Sequence, residues 1–268
     1  MLLLLAAPAL RAQGGPPFLT DDPGTPGNRH WEINVGLTAE HHSGDAEYAL
    51  PDFDINYGWG DRLQLNYEAP VALTKQGPDS NAGYGNSAMA VKWRFYERMK
   101  AGEDDPQFAV STYPRLVLEN PTSSAQRGVV AHGPQFLLPM EFSGRVGWLA
   151  YDGEVGHWFN AYNPDQWLGG FLAGRELGRK AEAYSEIYTI QDSTSAAGTA
   201  RQRQSTLGFG GRYTLTEHLV LMGMWGRSFQ AIEPGNGEAN YVGYFGLQFL
   251  FGPKEKVLPR LGPPQTER

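Results

Sequence analysis

The sequence contains no cysteine, which removes disulfide frameworks and thiolate metal sites from consideration. It is short of charge, with 19% charged residues, and acids outnumber bases to give a formal net charge of -7. A basic face for phosphate is therefore missing, and nucleic acid is excluded as a partner. Long apolar runs are missing too. After the first ten residues no stretch approaches the roughly 20 apolar residues that a membrane-spanning helix requires. A chain of this composition that enters a bilayer must do so as a closed β-barrel, because lipid leaves no backbone group unpaired.

The remaining features favour strands. Glycine is plentiful at 34 residues and aromatics reach 12%, a combination suited to short strands, tight turns and rings displayed on a surface. From Trp31 onward the period is two. Trp31, Ile33, Val35 and Leu37 alternate with Glu32, Asn34, Gly36 and Thr38. Phe53, Ile55 and Tyr57 alternate with Asp52, Asp54 and Asn56, and after "GWGDR" Leu63, Leu65 and Tyr67 alternate with Gln64, Asn66 and Glu68. Met89, Val91, Trp93 and Phe95 interleave with Ala90, Lys92, Arg94 and Tyr96. Phe108, Val110, Thr112 and Leu116 interleave with Ser111, Tyr113 and Arg115. Further runs fall near 134–142, 145–155, 167–175, 181–190, 204–214, 219–229 and 240–251, making about twelve strands of the length that crosses a tilted bilayer span. The runs at 167–175 and 219–229, "WLGGFLAG" and "LVLMGMWG", are apolar or small on both faces, so their orientation is open.

Loop lengths sort by parity. "GWGDR", "SG", "ELGRK" and "LTEH" are short and "ERMKAGEDDP" moderate, whereas "HHSGDAEYALP", "TKQGPDSNAGYGN", "NPTSSAQRGVVAHG", "GHWFNAYNPDQ", "QDSTSAAGTARQR" and "QAIEPGNGEAN" occupy the alternate junctions. Such asymmetry is that of an outer-membrane barrel with short periplasmic turns and longer extracellular loops. The predicted fold is all-β: a closed, up-and-down antiparallel transmembrane barrel spanning 30–252. The apolar face meets lipid, and Trp31, Tyr57, Trp59, Tyr67, Trp93, Trp148 and Tyr213 near strand ends meet the headgroups.

The polar face then lines a lumen, and the residues expected there are Asp52, Asp54, Asn56, Gln64, Asn66, Glu68, Lys92, Arg94, Tyr113, Arg115, Glu182, Tyr184, Glu186, Tyr188 and Arg212. In chain order the acids Asp52, Asp54 and Glu68 precede the bases Lys92, Arg94 and Arg115, an acidic wall beside a basic one that would set a transverse field. The same charges could instead pair and hold the barrel's shape. Tyrosines beside charges offer stacking surfaces and hydroxyls to a small aromatic solute.

Both chain ends are expected on the periplasmic side. Leu2 to Leu10 has signal-peptide length and ends in Leu10-Arg11-Ala12, so residues 1–12 read as an export signal lacking a basic start. Residues 13–29 form a leader in which Pro17, Pro23 and Pro26 restrict the backbone. It is expected either to hang free or to plug the lumen, with Asp21 and Asp22 reaching Lys92, Arg94 or Arg115. Residues 253–268 are a polar tail. The histidines show no metal-ligand spacing, no cofactor is expected, and the one catalytic pairing that can be drawn, His132 with Ser123 or Ser124, is not selected by spacing. The chain is expected not to be an enzyme.

The blocks "PFLTDDPGTPGNRHWEINVGL", "YGWGDRLQLNYEAPV", "GNSAMAVKWRFYE", "QFAVSTYPRLVLENPTSS" and "YVGYFGLQFLFG" resemble, in order and over nearly the whole mature chain, an outer-membrane family named for the MetA pathway of phenol degradation. The resemblance implies an outer-membrane transporter for small hydrophobic or aromatic solutes, with no catalytic residues carried over. Its implied partners are outer-membrane lipid and lipopolysaccharide, the barrel-assembly machinery that reads an aromatic-rich last strand, and the solute. A closed structural or adhesive barrel and a lipid-modifying surface enzyme are the other two readings that the residues leave open.

Overall fold

The computed structural model describes residues 15–42, 45–99, 106–119, 122–193, 203–230 and 240–253. The export signal expected at 1–12 and nearly all of the C-terminal tail lie outside them. The strands are β1 (Trp31–His42), β2 (Asp45–Trp59), β3 (Leu63–Gln76), β4 (Asp79–Tyr84), β5 (Ser87–Met99), β6 (Pro106–Thr112), β7 (Arg115–Leu118), β8 (Gln135–Val146), β9 (Leu149–Asn160), β10 (Gln166–Leu177), β11 (Ala181–Asp192), β12 (Arg203–Thr216), β13 (Leu219–Gln230) and β14 (Asn240–Phe251). Each pairs antiparallel with its neighbours, and β1 meets both β2 and β14, with Trp31 opposite Phe251 and His41 opposite Tyr241. The sheet thus has no free edge around its wall.

Twelve walls result. Strands β6 and β7 are two halves of one wall, both lying between β5 and β8 and interrupted at Tyr113-Pro114. Proline has no N–H to give to a ladder, so the break falls where it does. Strand β4 pairs with β3 alone, beyond the point where β3 leaves β5.

Which face is which follows from β5. Met89 and Val91 are 50% and 46% exposed while Lys92 and Arg94, on the other face, are 3% and 9%. A soluble barrel would reverse this. The outward apolar surface continues around the wall through Phe53, Leu65, Leu138, Phe171, Ile187, Leu207 and Phe245, far more contiguous apolar area than a water-soluble monomer exposes. One detail departs from strict alternation: a bulge between Arg94 and Tyr96 turns Tyr96 outward, where its ring meets Phe108.

Most turns fall where the sequence places them, at Gly60–Arg62, 178–180 and 217–218. The turn expected at "SG" is instead at Gly147-Trp148. Gly144 remains in β8 opposite Tyr151, and its bare Cα lies under the Tyr151 ring, where a Cβ would collide. Glycine there is a packing choice and not a turn signal. On the opposite rim the stretches "HHSGDAEYALP" and "TKQGPDSNAGYGN" are not irregular loops. They are largely strand, because β1 and β2 run on to His42 and Asp45 and β3 folds back into β4. Beyond the lipid no alternation is required, only pairing of backbone groups, so periodicity fails to mark them. A five-residue helix, Thr122–Gln126, lies between β7 and β8. No helix among the described residues is long and apolar enough to cross a membrane.

Trp31, Tyr57, Trp59, Trp93, Trp148 and Tyr213 gather at the short-turn rim, with Trp31 and Tyr57 in ring contact at 4.6 Å. Tyr67 lies toward the other rim, bonded to Ser87 at 3.3 Å.

Candidate functional site

The chain before β1 does not leave the barrel. Arg29 donates its N–H to the Gly58 carbonyl at 2.8 Å and Gly58 returns one to His30 at 2.9 Å, which pins the base of the leader to the end of β2. A Cβ on Gly58 would overlap the backbone of Gly27, so two glycines at this crossing let the backbones touch. Thr25 then bonds the Asp61 carbonyl at 2.9 Å. From there the leader crosses the lumen to the far wall.

On the near side it meets charge. Lys92 is enclosed and donates from Nζ to Asp21 Oδ1 at 2.7 Å and to the Asp22 carbonyl at 2.5 Å. Glu141 Oε2 lies 3.8 Å from the same ammonium, and the Tyr113 ring sits beneath it with its centroid at 4.6 Å. Glu141 is itself held by Ser111 at 2.5 Å. Asp21 donates its N–H to Glu154 at 3.1 Å, and Asp22 folds onto its own backbone by accepting from Gly24. Burial pushes the Asp22 carboxyl above the ordinary carboxylate range, more than Lys92 lowers it.

On the far side the contacts change character. Leu19 and Thr20 donate their N–H groups to Glu186 at 3.2 and 2.5 Å, and Arg212 donates to the Pro16 carbonyl at 2.7 Å. Phe18 enters an apolar cluster of Leu172, Tyr184, Met224 and Val242, with Leu19 and Tyr244 packed against it. Its ring meets Tyr184 edge-on at 5.7 Å, an arrangement that favours aromatic pairs. Gly170 lies next to Thr20, where a Cβ would collide with the threonine hydroxyl.

The residues expected on the inner face are placed there, and several are tied to neighbours on the wall. Asp54 is wrapped by amides, accepting from Asn34, Asn56 and Asn66 at 2.8, 3.1 and 2.5 Å, and Gln64 donates to Asn56 at 2.6 Å. Asp52 accepts from Thr38 at 3.3 Å. Glu68 on β3 pairs with Arg115 on β7, reaching over the intervening β5. Arg94 holds Glu97 at 3.0 Å and the Asp61 carbonyl at 2.7 Å, and Glu182 accepts from Tyr184 at 3.2 Å. Tyr188 flanks Gly170, and Arg212 stands opposite Glu182. Of the three bases offered to the leader's acids, Lys92 meets Asp21, while Arg94 and Arg115 hold Glu97 and Glu68.

The acids of β2 and β3 do stand next to the bases of β5 and β7, and the basic stretch has acids on its other side too. Glu141 on β8, Asp152 and Glu154 on β9 and Glu186 on β11 are also enclosed, so the bases stand between acids on both sides. Glu141, between Met140 and Phe142, and Asp152 and Glu154, alternating with Tyr151 and Val155, carried a period-two signal that locates them. Phe18, Leu172 and Met224 carried none, because an apolar residue on an inner face contradicts the polar-lumen pattern.

No three metal-ligating side chains converge among the described residues. His132 approaches Glu119 at 3.6 Å and forms no bond with Ser123 or Ser124. The Ser–His contact that does occur is His157 Nε2 to Ser193 Oγ at 3.0 Å. Its Nδ1 is enclosed with no hydrogen-bond partner, whereas a catalytic imidazole is oriented by a third group there.

A closed twelve-stranded wall with a lipid-facing outer surface and a polar, occupied lumen is the fold of an outer-membrane β-barrel. The chain belongs to the family described as "Putative MetA-pathway of phenol degradation", which matches residues 15–244 and so takes in the leader as well as the wall. The COG4313 outer membrane channel from Pseudomonas putida F1 is similar with a TM-score of 0.62 at 11% identity, covering 89% of this chain and 100% of that one. The NanC porin is similar with a TM-score of 0.53 at 10% identity, covering 81% and 98%. No curated protein matches the sequence.

Proposed function

We propose that the protein is an outer-membrane channel for passive passage of small solutes, aromatic ones among them, with its leader seated in the lumen as a plug. The observation that carries this reading is the inner face. A barrel built only as a scaffold would fill its interior with packed side chains from its own wall, whereas here Lys92, Glu154, Glu186 and Arg212 reach their partners on a separate, threaded segment. That segment runs into the wall at Trp31 and is otherwise held by hydrogen bonds, ion pairs and packing, so its withdrawal would leave a charged, hydrated path. In this reading the short turns and both termini face the periplasm, the outward band contacts lipid and lipopolysaccharide, and the aromatic-rich β14 is what the assembly machinery engages. The solved neighbours, described as an outer membrane channel and a porin, support it by analogy of fold.

The test is planar-bilayer recording of the refolded chain beside a Lys92→Glu, Arg94→Glu double variant. Discrete steps whose ion selectivity moves toward cations in the variant would place those residues on a conducting path. A folded, heat-modifiable barrel with no steps in either form, even after leader removal, would sink the channel reading.

A further inference from the structure

The lumen is not uniformly polar. On β10, β11, β13 and β14 the inward residues Leu172, Tyr184, Met224 and Val242 form an apolar sector. In a water-filled passage this is an unfavourable surface to leave bare. The structure shows what the leader lays on it: the Phe18 ring, edge-on to Tyr184 at 5.7 Å, with Leu19 and the wall's Tyr244 packed alongside. Directly beside that ring the Glu186 carboxylate accepts two N–H donors, from Leu19 at 3.2 Å and Thr20 at 2.5 Å. Gly208 on the neighbouring strand leaves the space between Glu186 and Met224 open, with both side chains about a van der Waals contact from where its Cβ would stand. The wall thus presents an apolar seat for one ring and, at its rim, an acceptor that requires a donor.

We propose that this sector is a solute site, and that Phe18 with the Leu19 and Thr20 amides occupies it as a tethered ligand. The solute it takes is a neutral, single-ring aromatic carrying an O–H or N–H donor. The ring replaces Phe18 against Leu172, Tyr184, Met224 and Val242, and the donor replaces the leader's amides at Glu186. An anionic ring is refused because the Glu186 carboxylate stands at the rim of the seat. Binding of solute and seating of the leader are then mutually exclusive, so the solute itself opens the plug. The inference rests on the channel reading for its purpose but not for its test.

The test is equilibrium binding, followed by fluorine NMR, of 4-fluorobenzyl alcohol to the full refolded chain in detergent. Competition from a tethered ligand lowers apparent affinity by the fraction of chains in which the site is covered. Phe18→Ala, which leaves the wall unchanged, should therefore bind the probe at least about tenfold more tightly than the unaltered chain. Adding Met224→Glu, or Val242→Thr with its near-equal volume, should return the signal toward the micelle background. Glu186→Gln in the Phe18→Ala chain should weaken the alcohol relative to 4-fluorotoluene, and 4-fluorobenzoate should not bind. Equal affinity with and without Phe18, or tight binding that survives both wall variants, would overturn the proposal. The same preparations are recorded in bilayers: conduction by Phe18→Ala without probe binding removes the solute site and keeps the channel. Binding without conduction keeps the site and removes the channel.

Discussion

Two sectors of the lumen wall hold the same leader by different physics. Around β5, β8 and β9 the contacts are Lys92 to Asp21 and Asp22, with Glu141, Glu154 and Tyr113 about them. Around β10 to β14 they are the burial of Phe18 and two amide donors on Glu186. The charged sector gives register, since an enclosed ammonium without its acids is strongly penalised. The apolar sector gives a seat, since burial is favourable wherever the ring fits. A segment fixed at both ends by unlike forces can be loosened from either end, and each loosening has its own dependence on salt and on solute.

The absence of cysteine allows each sector to be probed with one reporter. Thr20 is fully enclosed, so a Thr20→Cys chain should react with maleimide only as the leader leaves its seat. The largest effect is expected from Lys92→Glu, which sets a carboxylate against Asp21 and Glu141. It should weaken seating by about 3–5 kcal/mol and raise the labelling rate by orders of magnitude. Phe18→Ala breaks the other sector at a cost of about 3 kcal/mol and leaves the Lys92 contacts as the remaining hold, so the resulting rate should rise with salt. If both variants responded alike to salt, the two sectors would not differ as described.

Smaller effects come from the anchor and from protons. Gly58→Ala forces the leader's base away from β2 at Gly27 and should cost about 1–3 kcal/mol, visible as faster labelling with the sectors themselves intact. Asp22 titrates above its ordinary range because it is enclosed. The seated leader therefore binds the proton more readily than the released one. Seating should strengthen as pH falls into the window between the raised and the ordinary value, and weaken as pH rises through it. Asp22→Asn should flatten that slope, which labelling rates across the acidic to neutral range would show.

The wall was legible in the sequence because lipid outside and water inside impose alternation on every strand, and loop lengths sorted by rim added an independent sign. Strands β1, β2, β3 and β5 follow the rule over the stretches nearer the short-turn rim, apart from the bulge before Tyr96. Strands β10 and β13 were ambiguous for a physical reason: "WLGGFLAG" and "LVLMGMWG" put apolar side chains on the inner face as well, where they meet Phe18 rather than lipid. A pattern that assumes a polar lumen is blind to a sector whose partner is another part of the chain. Gly144 misled in a similar way, since a glycine under a tyrosine ring and a glycine in a turn look the same in one dimension. Asp21 and Asp22 were visible as acids in need of bases, but which base they meet was not, since the spacing alone does not tie Arg94 to Glu97 or Arg115 to Glu68.

In the channel reading, residues 15–28 occupy the passage. Single-channel conductance of the intact chain, beside the same chain lacking those residues, addresses it most directly. Rare or small steps are expected from the intact barrel, and sustained, larger steps once the segment is gone. Identical conductance in the two chains would contradict it.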